Sequence, residues 1–206
     1  MKSFLAIVLV SISSALILHA QPYLGVDLSY VNEMEDCGVV YKEAGAQKDP
    51  YQIFADAGAN LVRLRLWHTP SWYDTLNSGE RYSDLADVKR SIARAKEAGM
   101  QVLLDFHLSD NWADPSKQII PAAWLAVADD LTALQDSLEQ YLYSTLTELA
   151  AEELWPDLIQ LGNETNRGIL LTPTQNESGW VLDWERNGPL FNRGLQAIRS
   201  ASADAG

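Results

Sequence analysis

A carboxylate that follows a short apolar run is the first candidate for chemistry in this sequence. The run Leu158–Leu161 leads directly into Gly162, Asn163 and Glu164. A buried strand of this composition would release its next side chains at the edge of a sheet. A carboxylate in that position is either a solvated loop acid or a catalytic acid, and the Asn–Glu pair alone leaves both interpretations open.

Polar side chains alternate with apolar ones along three earlier predicted strands, at residues 23–29, 60–67 and 101–107. Period-two alternation places one set on each face of a strand. The polar face, continued into the fourth strand, carries Asp27, Arg63, Arg65, Asp105, His107, Gln160 and Glu164. Converging opposite charges suit a pocket for a polar substrate, with both arginines compensating the carboxylates. The alternative is an antiparallel sheet with one face in water.

Hydrolysis of a glycosidic bond is a reaction that these residue types could support. It needs one carboxylic acid that protonates the leaving oxygen and one carboxylate that attacks the sugar carbon or activates water. Glu164 could be the proton donor if burial and its neighbours raise its pKa. The side chains that could bind the sugar through hydrogen bonds or ring stacking are Asn163, Arg63, His107, Trp67 and Trp112.

Several of these side chains also have a purely structural interpretation. Arg63 and Arg65 could be ion-pair partners within the fold. His107 could be a core histidine with satisfied hydrogen bonds, and Trp112 could pack under its own loop. The sequence by its patterns alone does not separate these roles from sugar binding.

Metal-dependent hydrolysis is a competing hypothesis. His68, His107 and Glu164 lie at successive predicted strand ends and offer nitrogen and oxygen ligands. No second histidine accompanies His107 at the spacing of known metal-binding motifs. We therefore expect no metal site among these residues.

Helical segments separate the predicted strands. They cover residues 50–57, 84–98, 131–149 and 189–200, and residues 33–45, 108–121 and 165–187 are predicted to be loops. Connections that leave the strands are long, whereas those that enter them are short. Alternating strands and helices indicate a parallel sheet, and long loops after the strands are typical of the active-site end of an α/β barrel.

Composition restricts the class of partner. The chain has 206 residues, a formal net charge of −13 and one cysteine. An acidic chain lacks the basic patch that nucleic-acid binding needs, and it has no attraction to anionic lipid. Without a second cysteine no disulfide forms within the chain, and we expect Cys37 to be a small packed residue.

The first twenty residues have the pattern of a secretory signal peptide. Lys2 precedes an apolar run at residues 4–18, and Ala20 provides a small residue at the end. The run is shorter than the roughly 20 residues of a membrane span and contains three serines. We therefore expect cleavage after Ala20, a secreted or periplasmic protein, and no membrane attachment after cleavage.

Four motifs on the four strands make the chain similar to a known family. The most specific is Asp105-Phe-His-Leu-Ser-Asp-Asn-Trp-Ala-Asp-Pro-Ser-Lys-Gln118, followed by Pro121-Ala-Ala-Trp124. The others are Gly25-Val-Asp-Leu-Ser29, Val62-Arg-Leu-Arg-Leu-Trp67 and Gly162-Asn-Glu-Thr-Asn166. With these motifs the chain resembles the endo-β-1,4-galactanases of glycoside hydrolase family 53.

The resemblance implies a TIM (β/α)₈ barrel, of which residues 21–206 would hold about the first four βα units. It implies an endo-acting, retaining enzyme that cleaves β-1,4-galactan, the side chain of type I arabinogalactan in pectin. The partner would be this polysaccharide, no cofactor would be needed, and the full-length protein would be a monomer.

Individual site residues follow from the same resemblance. Glu164 matches the family's general acid/base, and Asn163 matches the residue before it that contacts the sugar. Arg63 and His107 match side chains that line the same subsite. Trp112 lies in the aromatic loop of the motif Asp105–Gln118.

The family's second catalytic carboxylate has no match in this sequence. The family nucleophile is a glutamate at the end of the seventh strand, and neither Glu177 nor Glu185 matches it. We therefore expect a truncated barrel that is inactive alone. The resemblance also allows a structural calcium ion in the C-terminal half of the barrel. The alternatives are a galactan-binding half-barrel without turnover and a related endoglycanase for another β-glycan, such as glucan or mannan.

Overall fold

The computed structural model describes residues 22–76, 79–177 and 181–206, so the predicted signal peptide at residues 1–20 lies outside the described residues. In chain order the helices and strands are β1 (Gly25–Asp27), α1 (Val31–Asp36), β2 (Lys42–Glu43), β3 (Ala46–Gln47), α2 (Pro50–Asp56), β4 (Leu61–Leu66), α3 (Leu85–Glu97), β5 (Gln101–Phe106), α4 (Leu131–Ala151), β6 (Leu158–Leu161), α5 (Pro173–Glu177) and α6 (Trp184–Ala205). Short 3-10 helices at Ser71–Thr75 and Ala122–Val127 lie in the loops after β4 and β5.

The main sheet has four parallel strands in the order β1-β4-β5-β6. Consecutive strands of the alternating βα series are neighbours, as in the first half of a (β/α)₈ barrel. This arrangement confirms the predicted parallel sheet and excludes the antiparallel alternative. Within the described residues, no helix combines the length and the apolar character that a membrane span requires.

Aspartate side chains start four of the helices. Asp49, Asp84, Asp130 and Asp183 each accept a backbone N–H of the first turn, which satisfies a donor that has no partner within the helix. Gly58 and Gly99 follow α2 and α3 with φ values of 97° and 74°, a left-handed conformation that glycine adopts without strain. These two stops keep the turns into β4 and β5 short, as the sequence predicts.

The apolar core lies between one face of the sheet and the helices. The strand register aligns Leu64 with Leu104 and Leu66 with Phe106, and all four side chains are buried. Each fully buried side chain of this size contributes roughly 1.5–3 kcal/mol. A leucine stripe on α4 belongs to the same core and consists of Leu134, Leu138, Leu142, Leu146 and Leu149.

Gly194 lets α6 approach the sheet closely. A β-carbon at this position would lie 2.7 Å from Leu161 of β6 and 3.3 Å from Leu142 of α4. Any larger residue would therefore require the Leu161 side chain or α6 itself to shift.

Two predicted loops contain regular structure, so these predictions are wrong in part. Residues 33–45 contain most of α1 and the start of the antiparallel β2–β3 pair, whose turn residues Ala44 and Gly45 both have positive φ. Residues 165–187 contain α5 and the first turn of α6. Cys37 is exposed, not packed, because α1 ends there and Gly38 turns the chain with φ of 91°.

Candidate active site

Glu164 follows β6 in a strained backbone conformation. Its φ of 48° is in the left-handed region, which costs a residue other than glycine roughly 1 kcal/mol or more and is frequent at functional sites. The buried amide of Gln118 donates from Nε2 to the carbonyl oxygens of Asn163 at 2.8 Å and Glu164 at 3.4 Å. The hydrogen bonds from Gln118 therefore fix the backbone of Asn163 and Glu164, while the Glu164 side chain is exposed to solvent.

The expected burial of Glu164 is not supplied by the described residues, because its side chain is open to solvent. Its neighbour Asn163 is buried, and the protein uses both ends of its amide. Asn163 Oδ1 accepts from Arg63 Nη2 at 2.8 Å, and Nδ2 donates to the carbonyl of Ala113 at 2.7 Å. The orientation of the Asn–Glu pair is thus set by the loop after β5 as well as by β6.

Arg63 connects the other three strands of the sheet to one another. Its Nη1 donates to Asp27 at 2.7 Å, its Nη2 pairs with Asp105, and its Nε donates to Gln160 Oε1 at 3.3 Å. Asp105 has no exposed surface, so the guanidinium balances a buried charge. Burial raises the pKa of Asp27, but hydrogen bonds from Ser29 and Arg63 outweigh it and leave that pKa below its ordinary value. Arg63 therefore compensates carboxylates as the sequence predicts.

His107 is fully buried in a hydrogen-bonded position beside Asp105. Its Nδ1 accepts the indole N–H of Trp67 at 3.2 Å and the backbone N–H of Ala113 at 3.3 Å. Its Nε2 lies 3.1 Å from Asp105 Oδ2. A ring nitrogen that accepts two N–H groups carries no proton, so His107 is neutral with its proton on Nε2, which lies near Asp105 without forming a hydrogen bond to it. Burial lowers the pKa of His107, and Asp105 offsets only part of that effect.

Stability should decrease as the pH falls below the ordinary histidine pKa of about 6.5. Burial also lowers the pKa of His68, so the unfolded chain binds protons at a pH where the native chain does not. The stability present above pH 6.5 is therefore lost as the pH falls towards the folded-state pKa values, by up to about 1.4 kcal/mol per pH unit for each histidine. Urea unfolding of wild type and His107→Gln between pH 8 and pH 5 measures this; an identical slope in both would contradict the assignment to His107.

The two tryptophans that were candidates for stacking on sugar, Trp112 and Trp67, differ in their exposure to solvent. Trp112 is half-buried, with its ring centroid 5.4 Å from that of His107, and it borders the site. Trp67 is only 2% exposed and donates to His107, so the expectation that it stacks on sugar is wrong. The loop after β4 covers it with Tyr73 and Tyr82.

Arg65 departs from its prediction most clearly. It is buried like an ion-pair partner, but its guanidinium has no salt bridge or hydrogen bond with the residues that the structure describes. It lies among aromatic rings instead, at 4.1 Å from the ring centroid of Tyr30. The sequence analysis did not include Gln118 among the site residues. Its place at the end of the motif Asp105–Gln118 was the signal that could have identified it.

The three residues of the competing metal hypothesis, His68, His107 and Glu164, do not form a site. His68 contacts Trp124 and Tyr141, with ring centroids 4.8 and 4.6 Å away, and its Nδ1 lies 2.9 Å from Thr69 Oγ1. Over the described parts of the chain, no three His, Cys, Asp or Glu side chains are grouped to hold a metal ion.

Residues 23–205 match the sequence model of Glycosyl hydrolase family 53. An arabinogalactan endo-β-1,4-galactanase of Cellvibrio japonicus is 46% identical over 202 residues, which are 98% of this chain and 51% of the relative. An endo-β-1,4-galactanase of Bacillus subtilis is 34% identical over 87% of this chain and 40% of its own length.

Solved structures agree with the sequence relatives. The GH53 catalytic domain of Ignisphaera aggregans superposes with a TM-score of 0.75 at 32% identity, over 87% of this chain and 48% of that domain. The chain thus spans about half the length of the relatives that it matches, and its parallel sheet corresponds to part of their barrel. With a family match over nearly all described residues, this chain belongs to glycosyl hydrolase family 53.

Proposed function

We propose that this chain carries the acid/base side of the active site of an endo-acting, retaining glycosidase that cleaves β-1,4-galactan in type I arabinogalactan. The observation that carries the proposal is the strained backbone of Glu164, held by Gln118 and preceded by the anchored amide of Asn163. Relatives named as galactanases support the substrate.

In the proposed reaction, the Glu164 carboxyl transfers its proton to the glycosidic oxygen as the bond to the anomeric carbon breaks. A second carboxylate forms a bond to that carbon, and water then replaces it while Glu164 takes up a proton from the water. Asp27 and Asp105 share the polar face, but Arg63 binds both. Neither is therefore assigned as the nucleophile. From the resemblance to the family we propose that a glutamate of the remaining barrel has this role and that no cofactor takes part.

The proposed setting is outside the cytoplasm. Lys2 and the apolar run after it support a signal peptide at residues 1–20, with residues 21–206 as the first half of the barrel. The proposal includes a secreted or periplasmic monomer that binds neither nucleic acid nor membrane after cleavage, and the net charge of −13 supports the exclusion of nucleic acid.

A polysaccharide panel tests the substrate. The purified full-length protein should release oligosaccharides from β-1,4-galactan, with at least about tenfold lower rates on β-glucan and β-mannan, because a pocket that hydrogen-bonds hydroxyls in one orientation discriminates against epimers that present them differently. Reducing-sugar release measures the rates.

The same panel separates the alternatives. Preferred hydrolysis of glucan or mannan would contradict the galactanase assignment and favour a related endoglycanase. Binding of galacto-oligosaccharides without release of product would contradict turnover and favour a galactan-binding protein.

A further inference from the structure

Arg65 is a buried cation without a counterion in the described structure. Only 2% of the residue is exposed, and Nε and Nη2 are buried without a hydrogen-bond partner. Its register partner Asp105 is engaged by Arg63 and does not pair with it. A buried guanidinium without a carboxylate is unfavourable unless another interaction compensates its charge.

Three aromatic rings supply that interaction. The Arg65 guanidinium carbon lies 4.1 Å from the ring centroid of Tyr30, 4.8 Å from Trp67 and 5.0 Å from Trp112. These distances are within the range of cation–π attraction. Trp67 is buried, whereas Tyr30 and Trp112 both have surface in contact with solvent. Arg65 therefore contacts two rings that are partly open to solvent.

Tyr30 is the most exposed of these three residues. It follows β1 at the same edge of the sheet as Glu164 and is 46% exposed. Its hydroxyl makes no hydrogen bond with any described residue. An aromatic ring that is fixed on one side by a buried cation and open on the other is suited to stack on the apolar face of a pyranose.

We propose that Tyr30 is a carbohydrate-contacting residue that, with Trp112, forms an aromatic platform for a galactosyl unit, and that Arg65 is its positioning residue. The inference rests on the proposed galactanase function. Stacking on Arg65 limits the orientations of a ring that has no hydrogen bond of its own, so less freedom is lost when sugar binds.

The platform is connected to the candidate catalytic residues. Trp112 precedes Ala113, whose carbonyl accepts from Asn163 at 2.7 Å and whose N–H donates to His107 at 3.3 Å. A sugar on Tyr30 and Trp112 would therefore be held by the loop that orients Asn163. The platform extends the site across the sheet towards β1.

Steady-state kinetics on galacto-oligosaccharides with the full-length protein tests the platform. Tyr30→Ala should raise KM by about 5–20-fold with kcat within about twofold, because loss of binding that ground and transition states share changes KM alone. Tyr30→Phe keeps the ring and should stay within about threefold. Tyr23→Ala removes an exposed tyrosine that precedes β1, at the opposite edge, and should change neither constant.

A double-variant cycle tests the role of Arg65. Arg65→Met should raise KM in the same direction, and Tyr30→Ala combined with Arg65→Met should be no worse than the larger single effect, because both changes remove one platform. Arg65→Lys should restore part of the loss. Additive effects of the two changes would overturn the positioning role.

The outcomes separate this proposal from the proposed function. If wild type hydrolyses galactan and Tyr30→Ala behaves like Tyr23→Ala, the platform is wrong and the function stands. If wild type neither binds nor hydrolyses galacto-oligosaccharides, the function fails and the platform fails with it. Should Tyr30→Ala fail to fold, Tyr30→Leu replaces it, since leucine keeps apolar contact with Arg65 without an aromatic face.

Discussion

Replacing Glu164 with glutamine is expected to lower kcat on β-1,4-galactan by about 10²–10⁴-fold, the usual contribution of a general acid/base. Glutamine has nearly the same shape but cannot release a proton to the glycosidic oxygen. The Glu164 side chain is exposed, so the unfolding free energy should change by no more than about 0.5 kcal/mol. Initial rates of reducing-sugar release and a thermal melt of the full-length protein measure both quantities.

Leaving-group chemistry distinguishes an acid/base role from general damage to the site. An aryl galactobioside with a dinitrophenolate leaving group needs no protonation, so Glu164→Gln should still cleave its aryl bond. Azide should then accelerate turnover, because it can displace the enzyme's carboxylate from the anomeric carbon without a general base.

The matched control is Glu185→Gln in the first turn of α6, where the carboxylate is also exposed. This variant should retain wild-type rates on both substrates. Equal losses on galactan and on the aryl galactobioside in Glu164→Gln would contradict the acid/base assignment.

Replacing Arg63 with methionine should cause the largest loss of stability among the site residues. Arg63 pairs with Asp105, which has no exposed surface, and removing one partner of a buried ion pair typically costs about 3–5 kcal/mol. The methionine also removes the donors to Asn163 and Gln160. Urea unfolding at pH 7 should therefore show a lower midpoint, and activity on galactan should fall with it.

A double-variant cycle shows whether the buried carboxylate causes this loss. Arg63→Met combined with Asp105→Asn should be less destabilising than the sum of the single changes, because the amide leaves no uncompensated charge. Arg81→Met is the surface control, since Arg81 pairs with the half-exposed Asp74 and such pairs contribute about 0–1 kcal/mol. If Arg63→Met costs no more than Arg81→Met, the charge-compensating role of Arg63 is wrong.

Local patterns were sufficient to predict the main elements of the fold. Asp49 with Pro50 marked the start of α2, and Gly58 and Gly99 marked where helices stop. These signals involve residues within a few positions of one another, so they act before any tertiary contact forms. The β2–β3 pair was missed because two-residue strands carry almost no periodicity, and its Ala-Gly turn is a weak signal.

Period-two alternation also predicted correctly that Arg63, Asp105 and His107 share a polar face and that Glu164 lies at its edge, because the direction of a side chain along a strand is a local property. The family could also be recognised from the sequence, because each motif is a short run of neighbouring residues. The partner of each charge was decided only by the tertiary structure. Arg63 meets Asp105 and Asn163 across 42 and 100 positions of sequence, while Arg65, on the same face, lies among aromatic rings. Strand register and the loops that return over the sheet bring these groups together, and both depend on packing between residues far apart in the chain.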